Sequence, residues 1–192
     1  HEAIDKKEGA ETFSFVVPGA ALSEVEKICS DVDEPASVTQ GARHVMFKVG
    51  DTMLVSRRLE GEFLAYRNAI PRNNAIQVVG ETRKLLASID RVSLIISDKL
   101  KSPLRCIFGD NVLSITTKTG IGDAADQCPI EGDGGGLEIG FNNRYLMDAL
   151  KAAPAEKVRL ELTSGVAPCV ILPAEGEENF LYMVLPVRLK AE

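Results

Sequence analysis

His44 is the one histidine inside the patterned part of the chain. No serine, cysteine or carboxylate stands around it at a spacing that would build a triad or a metal-ligand set. The cysteines Cys29, Cys106, Cys128 and Cys169 are far apart and form no Cys-x-x-Cys pair, so neither a zinc site nor a dithiol redox motif is expected. They read as reduced thiols of a cytoplasmic protein. Glu24, Glu26, Asp31, Asp33 and Glu34 could supply acid–base pairs or hard-metal ligands, but they lack EF-hand spacing and read as a solvated helix end. The glycine-rich run Gly132-Asp133-Gly134-Gly135-Gly136 precedes a strand. A phosphate-cradling loop would follow a strand and open a helix, so the run reads as a flexible hairpin connection. No nucleophile, base and oxyanion donor can be assembled from these positions. The sequence therefore assigns no catalytic residue, metal or cofactor, and a non-enzyme is expected.

What remains is the chemistry of charge and of apolar grooves. The net charge of −6 speaks against nucleic acid if taken as a sum, because phosphate neutralisation needs clustered Lys and Arg. The distribution is uneven: Arg83, Lys84, Arg91, Lys99, Lys101 and Arg105 fall in one segment, while acidic residues gather in 123–133 and 175–178. Arg83, Lys84 and Arg91 lie opposite the apolar face of their helix, and Arg144 and Lys151 sit on a later one. Near the C-terminus, Leu181 to Arg188 is an almost continuous apolar strand. Pro186 would stop its ladder and leave Met183, Leu185 and Val187 lining a groove.

The elements that position these residues form a repeat. Residues 12–17 alternate as a strand, Pro18 opens a helix through Leu22, Val25 and Ile28, and Ala36–Gln40, Arg43–Val49 and Thr52–Arg58 follow as strands, with Gly50-Asp51 as a turn. The order β-α-β-β-β returns at Ala75–Val79, a helix through Leu85, Leu86, Ile89, Val92 and Ile96, then Leu104–Phe108, a turn Gly109-Asp110-Asn111, and Val112–Lys118. It returns again at Leu137–Phe141, with Asn142 as N-cap to a helix holding Tyr145, Leu146, Ala149 and Leu150, then Val158–Leu162, Pro168–Leu172 and Phe180–Val187. Three copies of about 60 residues fill the 192-residue chain. The fold class expected is α+β, with helices on one face of antiparallel sheets. Copies two and three can share a core, whereas copy one, at 11–73, reads as half of a domain whose other half lies elsewhere. With 45% apolar and 26% charged residues and no apolar run near the roughly 18 of a membrane helix, a soluble protein with no membrane partner is expected. Residues 1–10 are polar and aperiodic and read as a lead-in linker or an artificial boundary.

Phe63-Leu64-Ala65-Tyr66-Arg67-Asn68-Ala69-Ile70-Pro71, preceded by Arg57-Arg58-Leu59-Glu60-Gly61, resembles the connection between the second and third domains of bacterial sliding clamps, the beta subunits of DNA polymerase III. Gly140-Phe141-Asn142-Asn143-Arg144-Tyr145-Leu146-Met147-Asp148-Ala149-Leu150 is similar to that family's Gly-Phe-Asn signature, and Leu185-Pro186-Val187-Arg188-Leu189 to its terminal Met-Pro-Met-Arg-Leu. The resemblance covers nearly everything after residue 11. It implies a DNA-clamp fold, with 11–73 as the second half of the middle domain plus connector and 74–192 as the C-terminal domain.

The function the resemblance implies is that of a processivity factor. A head-to-tail dimeric ring encircles duplex DNA without reading its sequence and tethers polymerase and clamp-loader subunits through short peptide motifs, in the cytoplasm and on the nucleoid. This chain alone is not expected to close such a ring. The partner groove carried over position by position is Leu64, Asn68, Ala69, Asn142, Tyr145, Val166, Met183, Val184, Leu185, Pro186, Val187 and Arg188. Leu64 and Asn68 depart from a frequent Pro and Arg of the family. The DNA-facing residues would be Arg83, Lys84, Arg91, Arg144 and Lys151, whereas Pro18-Gly19-Ala20 stands where many relatives carry basic residues. The ring-closing surface would involve Ile95 and Ile96 at the end of the second helix, with Asp123, Asp126 and Glu131. The alternative is a non-enzymatic α+β interaction module with no DNA role.

Overall fold

The structure, a computed structural model, describes residues 13–30, 32–97, 102–175 and 180–189. The lead-in segment 1–10, Thr12, Asp31, Lys99, Lys101, Glu177 and Glu178 lie outside these residues. The described chain divides into two compact units, one ending at Ala65 and one running from Tyr66. The sequence reading counts the whole connector with the first, whereas it is divided between them, residues 63–65 falling with the first unit and 66–71 with the second. Its far end is tied there, because Asn74 Nδ2 donates to Glu161 Oε2 at 3.0 Å and Thr163 Oγ1 donates to Asn74 Oδ1 at 2.8 Å.

In the smaller unit, Pro18 sits just ahead of helix α1 (Gly19–Ser30), and its carbonyl accepts the Ala21 N–H at 2.9 Å. Strands β1 (Ser37–Gln40), β2 (His44–Val49) and β3 (Thr52–Arg57) form an antiparallel sheet in that order. Gly50, at φ +54°, supplies the left-handed residue that the expected β2–β3 turn needs. Alternation on β2 sends Val45, Phe47 and Val49 inward, where Phe15 meets Phe47 edge-on at 6.2 Å. The strand expected over 12–17 is not formed in its described part. The Leu59 N–H bond to the Val16 carbonyl, at 2.8 Å, is too little to make a ladder.

The larger unit contains β4 (Ile76–Glu81), α2 (Thr82–Ser93), β5 (Leu104–Thr119), β6 (Gly122–Phe141), α3 (Asn143–Ala152), β7 (Lys157–Leu162), β8 (Cys169–Pro173), β9 (Tyr182–Val184) and β10 (Pro186–Val187). Its seven-stranded sheet runs β10-β6-β4-β7-β8-β9, with β5 beside β6. All the pairings are antiparallel. Helix α2 turns Leu85, Ile89 and Val92, and α3 turns Leu146 and Leu150, into the one apolar cluster that also holds Phe108, Ile115, Ile139, Phe141, Leu160 and Ile171. Antiparallel sheets with their helices packed into a shared core are the α+β arrangement the repeat implies. Asn142 caps α3 as expected, its Oδ1 accepting the Arg144 N–H at 3.0 Å.

Two local expectations are overturned. Gly109-Asp110-Asn111 is not a turn, and Gly132–Gly136 is not a hairpin connection: both lie inside the long strands β5 and β6, facing one another. The register passes from Phe108↔Leu137 through Asp110↔Asp133 to Val112↔Pro129, so β6 carries extra residues opposite each step of β5. The buried positions of β5 accordingly change parity, from Leu104, Cys106 and Phe108 to Leu113, Ile115 and Thr117. Gly132, Gly135 and Gly136 take φ of +107°, +63° and +72°, which is what the bulged side of the pair asks of glycine. The hairpin itself closes at Thr119↔Gly122. Copies two and three of the repeat thus share one continuous strand, β6, and are not joined by a loop.

The C-terminal strand breaks where Pro186 is expected to break it. Met183 pairs with Val170 on β8, whereas Val187 pairs with Gly140 on β6. The two short strands therefore lie at opposite ends of the sheet order, with Leu185 between them.

Candidate functional site

Asn142, Tyr145 and Val187 come together in the larger unit. They line a cleft of about 450 Å³ with Ile96, Ser97, Ser102, Pro103, Asn143 and Arg144. The cap places Asn142 at the first turn of α3, and the helix then carries Tyr145 outward, 65% exposed, beside β10. Leu185, at 61%, and Val166, at 76%, are also open apolar surface. Val184 is different. It is 4% exposed and belongs to the apolar cluster, because alternation on β9 turns it inward while Met183 stays half-buried. Val184 therefore offers no surface to a partner, which corrects its inclusion. Pro186 is half-buried on the β6 ladder, and Arg188 is exposed.

A second groove, of about 640 Å³, is lined by Tyr66, Arg67, Ile70, Phe180, Leu181, Tyr182 and Met183. Asn68 and Ala69 lie in and just after the 3-10 turn Tyr66–Asn68 that forms one wall. Of the residues carried over by resemblance, Met183 alone lines this groove; Leu64 belongs to the smaller unit. The sequence reading missed Phe180 and Tyr182, whose rings stack at 5.2 Å, and the Tyr182 hydroxyl donates to the Ala152 carbonyl at 2.9 Å. Their spacing of two in an apolar run was the available signal.

The cations expected to face DNA are exposed, but their surroundings differ. Arg83 on α2 and Lys151 on α3 point outward. Lys84 is held by Glu81 at 2.6 Å, a contact between exposed groups that contributes little to stability. Arg91 is paired across to β6: its Nε and Nη2 donate to Asp126 Oδ2 at 2.8 and 2.5 Å. Arg144 is exposed on α3 and lines the first cleft.

The acidic stretch is likewise engaged within the unit. Asp126 accepts from the Ser88 hydroxyl at 2.9 Å as well as from Arg91, and Glu131 takes Lys157 at 2.8 Å. Asp123 is exposed near the hairpin. At the end of α2 the helix stops at Ser93, so Ile95 and Ile96 lie beyond it and are half-buried; Leu94, 79% exposed, presents the apolar surface there. The Ser88 hydroxyl, with Arg91 and the Gln127 N–H, holds the Asp126 carboxyl below its ordinary value against the opposing effect of burial. This depression contributes stability above the unfolded carboxylate pKa of about 4, and that contribution is lost as pH falls through the lower folded value. Asp126→Asn should therefore melt below wild type at pH 6, with the gap closing toward pH 2.5. A gap independent of pH in paired thermal melts would refute the assignment.

Burial pushes the Cys106 thiol up to about 12 and raises those of Cys169 and Cys128 as well, so these buried sulfurs are poor nucleophiles near neutral pH. Among the described residues, no three His, Cys, Asp or Glu side chains are grouped to hold a metal.

Residues 67–188 match the family model described as DNA polymerase III beta subunit, C-terminal domain. The beta sliding clamp of Staphylococcus aureus is 31% identical over 181 residues, covering 93% of this chain and 48% of the relative. That of Synechocystis is 32% identical over 200 residues, covering 98% and 49%. The crystal structure of the DNA polymerase III beta subunit from Thermotoga maritima superposes with a TM-score of 0.82 at 28% identity, over 97% of this chain and 51% of that one. The chain thus spans about half the length of the curated relatives it matches. The family match runs from the connector through β10 and takes in both helices and the whole sheet of the larger unit: the chain belongs to the DNA polymerase III beta subunits, the bacterial sliding clamps.

Proposed function

We propose that this chain serves as part of a sliding clamp, a non-catalytic processivity factor that surrounds duplex DNA and tethers a polymerase to it. The observation that carries the reading is the segregation of charge in the larger unit. Arg83, Lys84, Arg144 and Lys151 are exposed on α2 and α3, with Arg91 of α2 tied to Asp126 at the border, whereas β6 carries Asp123, Asp126, Glu131, Asp133 and Glu138 and no Lys or Arg. Sequence-independent sliding needs weak, long-range attraction from one layer of the molecule, and acidic surface elsewhere discourages binding in other orientations.

In this reading residues 11–73 are the second half of a middle clamp domain with its connector, and 74–192 are the C-terminal domain. The partner surface for polymerase and clamp-loader peptides is the cleft of Asn142, Tyr145 and Val187 with Leu185, Pro186 and Arg188 beside it, and Met183 with Asn68 and Ala69 belongs to the second groove of the same unit. Apolar peptide side chains would enter it while Asn142 and Arg188 hold polar ends. Ring closure would use Leu94 beside Ile95 and Ile96, together with Asp123, against a neighbouring subunit, and the working location is the cytoplasmic nucleoid.

The test is duplex binding at low salt. The chain is expected to bind duplex DNA weakly and without sequence preference, with affinity falling steeply as salt rises. Reversing Arg83, Arg144 and Lys151 to Glu should lower that affinity about tenfold or more at 50 mM salt, by analogy with the loss of several phosphate contacts. Equal binding by the reversed variant, or marked preference for one sequence, would refute the helix-face assignment. Partner peptides are expected to bind this chain weakly. Sub-micromolar affinity, read by fluorescence titration, would contradict that.

A further inference from the structure

Alternation in the smaller unit leaves one face of its sheet without cover from the described residues of that unit. Phe15 and α1 pack on the side of Val45, Phe47 and Val49, so the intervening residues of β2 and their cross-strand partners on β3 face out. The register places His44 beside Arg57, Met46 beside Val55 and Lys48 beside Met53. Met53 and Val55 are 56% and 57% exposed. On β1 the outward positions are Ser37 and Thr39, both uncharged. The strand positions of this face therefore put a cation at each end, an apolar strip between them and no carboxylate, in a chain whose 28 acidic residues outnumber its 22 Lys and Arg; Asp51 and the Glu34 side chain stand at the Gly50 turn.

Neither Arg57 nor Lys48 has an intramolecular ion pair among the described residues. The neighbouring Arg58 is committed to the turn, donating to the Gly41 and Ala42 carbonyls at 3.2 and 3.3 Å. We propose that this outer sheet face is a docking surface for a partner-protein segment that alternates carboxylates with apolar side chains. The carboxylates would meet Arg57 and Lys48, and the apolar groups would cover Met46, Met53 and Val55. Arginine's planar fork suits a carboxylate at the Arg57 end. A phosphodiester backbone would match the cations but gain nothing from the central strip, which favours a peptide over nucleic acid. None of its residues belongs to the partner groove or to the helix-face cations, so this inference stands or falls independently of the clamp reading.

The test uses the whole chain with methyl-labelled methionine, titrated with an eight-residue peptide alternating Asp and Leu, its Lys–Leu counterpart, and a short DNA duplex. The acidic peptide is expected to shift the Met46 and Met53 methyl signals and leave those of Met147 and Met183 in place. Lys48→Glu with Arg57→Glu should weaken binding about tenfold, as two exposed attractions become repulsions, and Lys27→Gln should leave it unchanged. If the double reversal lowers the melting temperature, Lys48→Gln with Arg57→Gln replaces it. No shift at Met46 and Met53, equal binding of the Lys–Leu peptide, stronger response to the duplex, or the same shifts on concentrating the chain alone would each overturn the proposal.

Discussion

Gly134→Ala is expected to lower the melting temperature by roughly 10 °C, the loss that about 3 kcal/mol of overpacking produces in a protein of this size. A Cβ at Gly134 would stand 2.2 Å from Phe108 Cβ and 2.4 Å from the Phe108 carbonyl oxygen. Backbone cannot move aside as a flexible side-chain end can, so the bulge would have to open and the facing strands β5 and β6 part at their midpoint. Gly120 is the internal control: a Cβ there meets nothing within 4 Å, and Gly120→Ala should melt within about a degree of wild type. Thermal unfolding followed by circular dichroism measures both. A Gly134→Ala protein that melts with the parent would mean that the strands do not cross as closely as described.

Phe141→Ala should remove about 4 kcal/mol of stability, within the 3–5 kcal/mol range for deleting a buried aromatic ring. Phe141 is 1% exposed, and its backbone is paired with Leu104 on one side and Pro186 on the other, so the vacated space borders β5, β10 and the start of α3 at once. Because Asn142 follows directly, the loss should also disturb the cleft around Tyr145. In urea denaturation the midpoint should fall sharply while Phe141→Leu recovers most of it, and amide signals of Asn142 and Tyr145 should shift in the alanine variant. A change under 1 kcal/mol would show that the site collapses without cost and that Phe141 does not hold the signature segment.

Much of this was legible from residue order, for identifiable reasons. The helices carry strong three-and-four periodicity and, for α3, a cap, so α2 at Leu85, Ile89 and Val92 and α3 at Leu146 and Leu150 are visible without coordinates. The break at Pro186 follows from its missing N–H. The bulge was not read, because Gly-Asp-Asn is also a turn sequence. Local chemistry cannot tell a chain that reverses from one that swells and continues. The change of parity between Phe108 and Leu113 was the distinguishing mark, and it needs both sides of the interruption to be read together.

The sequence assigns the acidic stretch to a ring-closing surface and gives no sign of its internal partners, because spacing says nothing of a partner far along the chain. Asp126 meets Ser88 and Arg91 only after β5 and β6 fold back over α2. The same limit explains Val184. Membership in a motif gives its position along the chain, but the side of the strand it faces is fixed by the register with β8.

The split of the last strand has a mechanical meaning. Three residues of β9 grip β8 and two of β10 grip β6, with Leu185 spanning between. Tension applied at the tail would load the β10 pairs first and reach β9 only after they part. The C-terminus would then yield in two small steps, peeling from its end like a double-snapped strap, before force is transmitted to the long strands beneath.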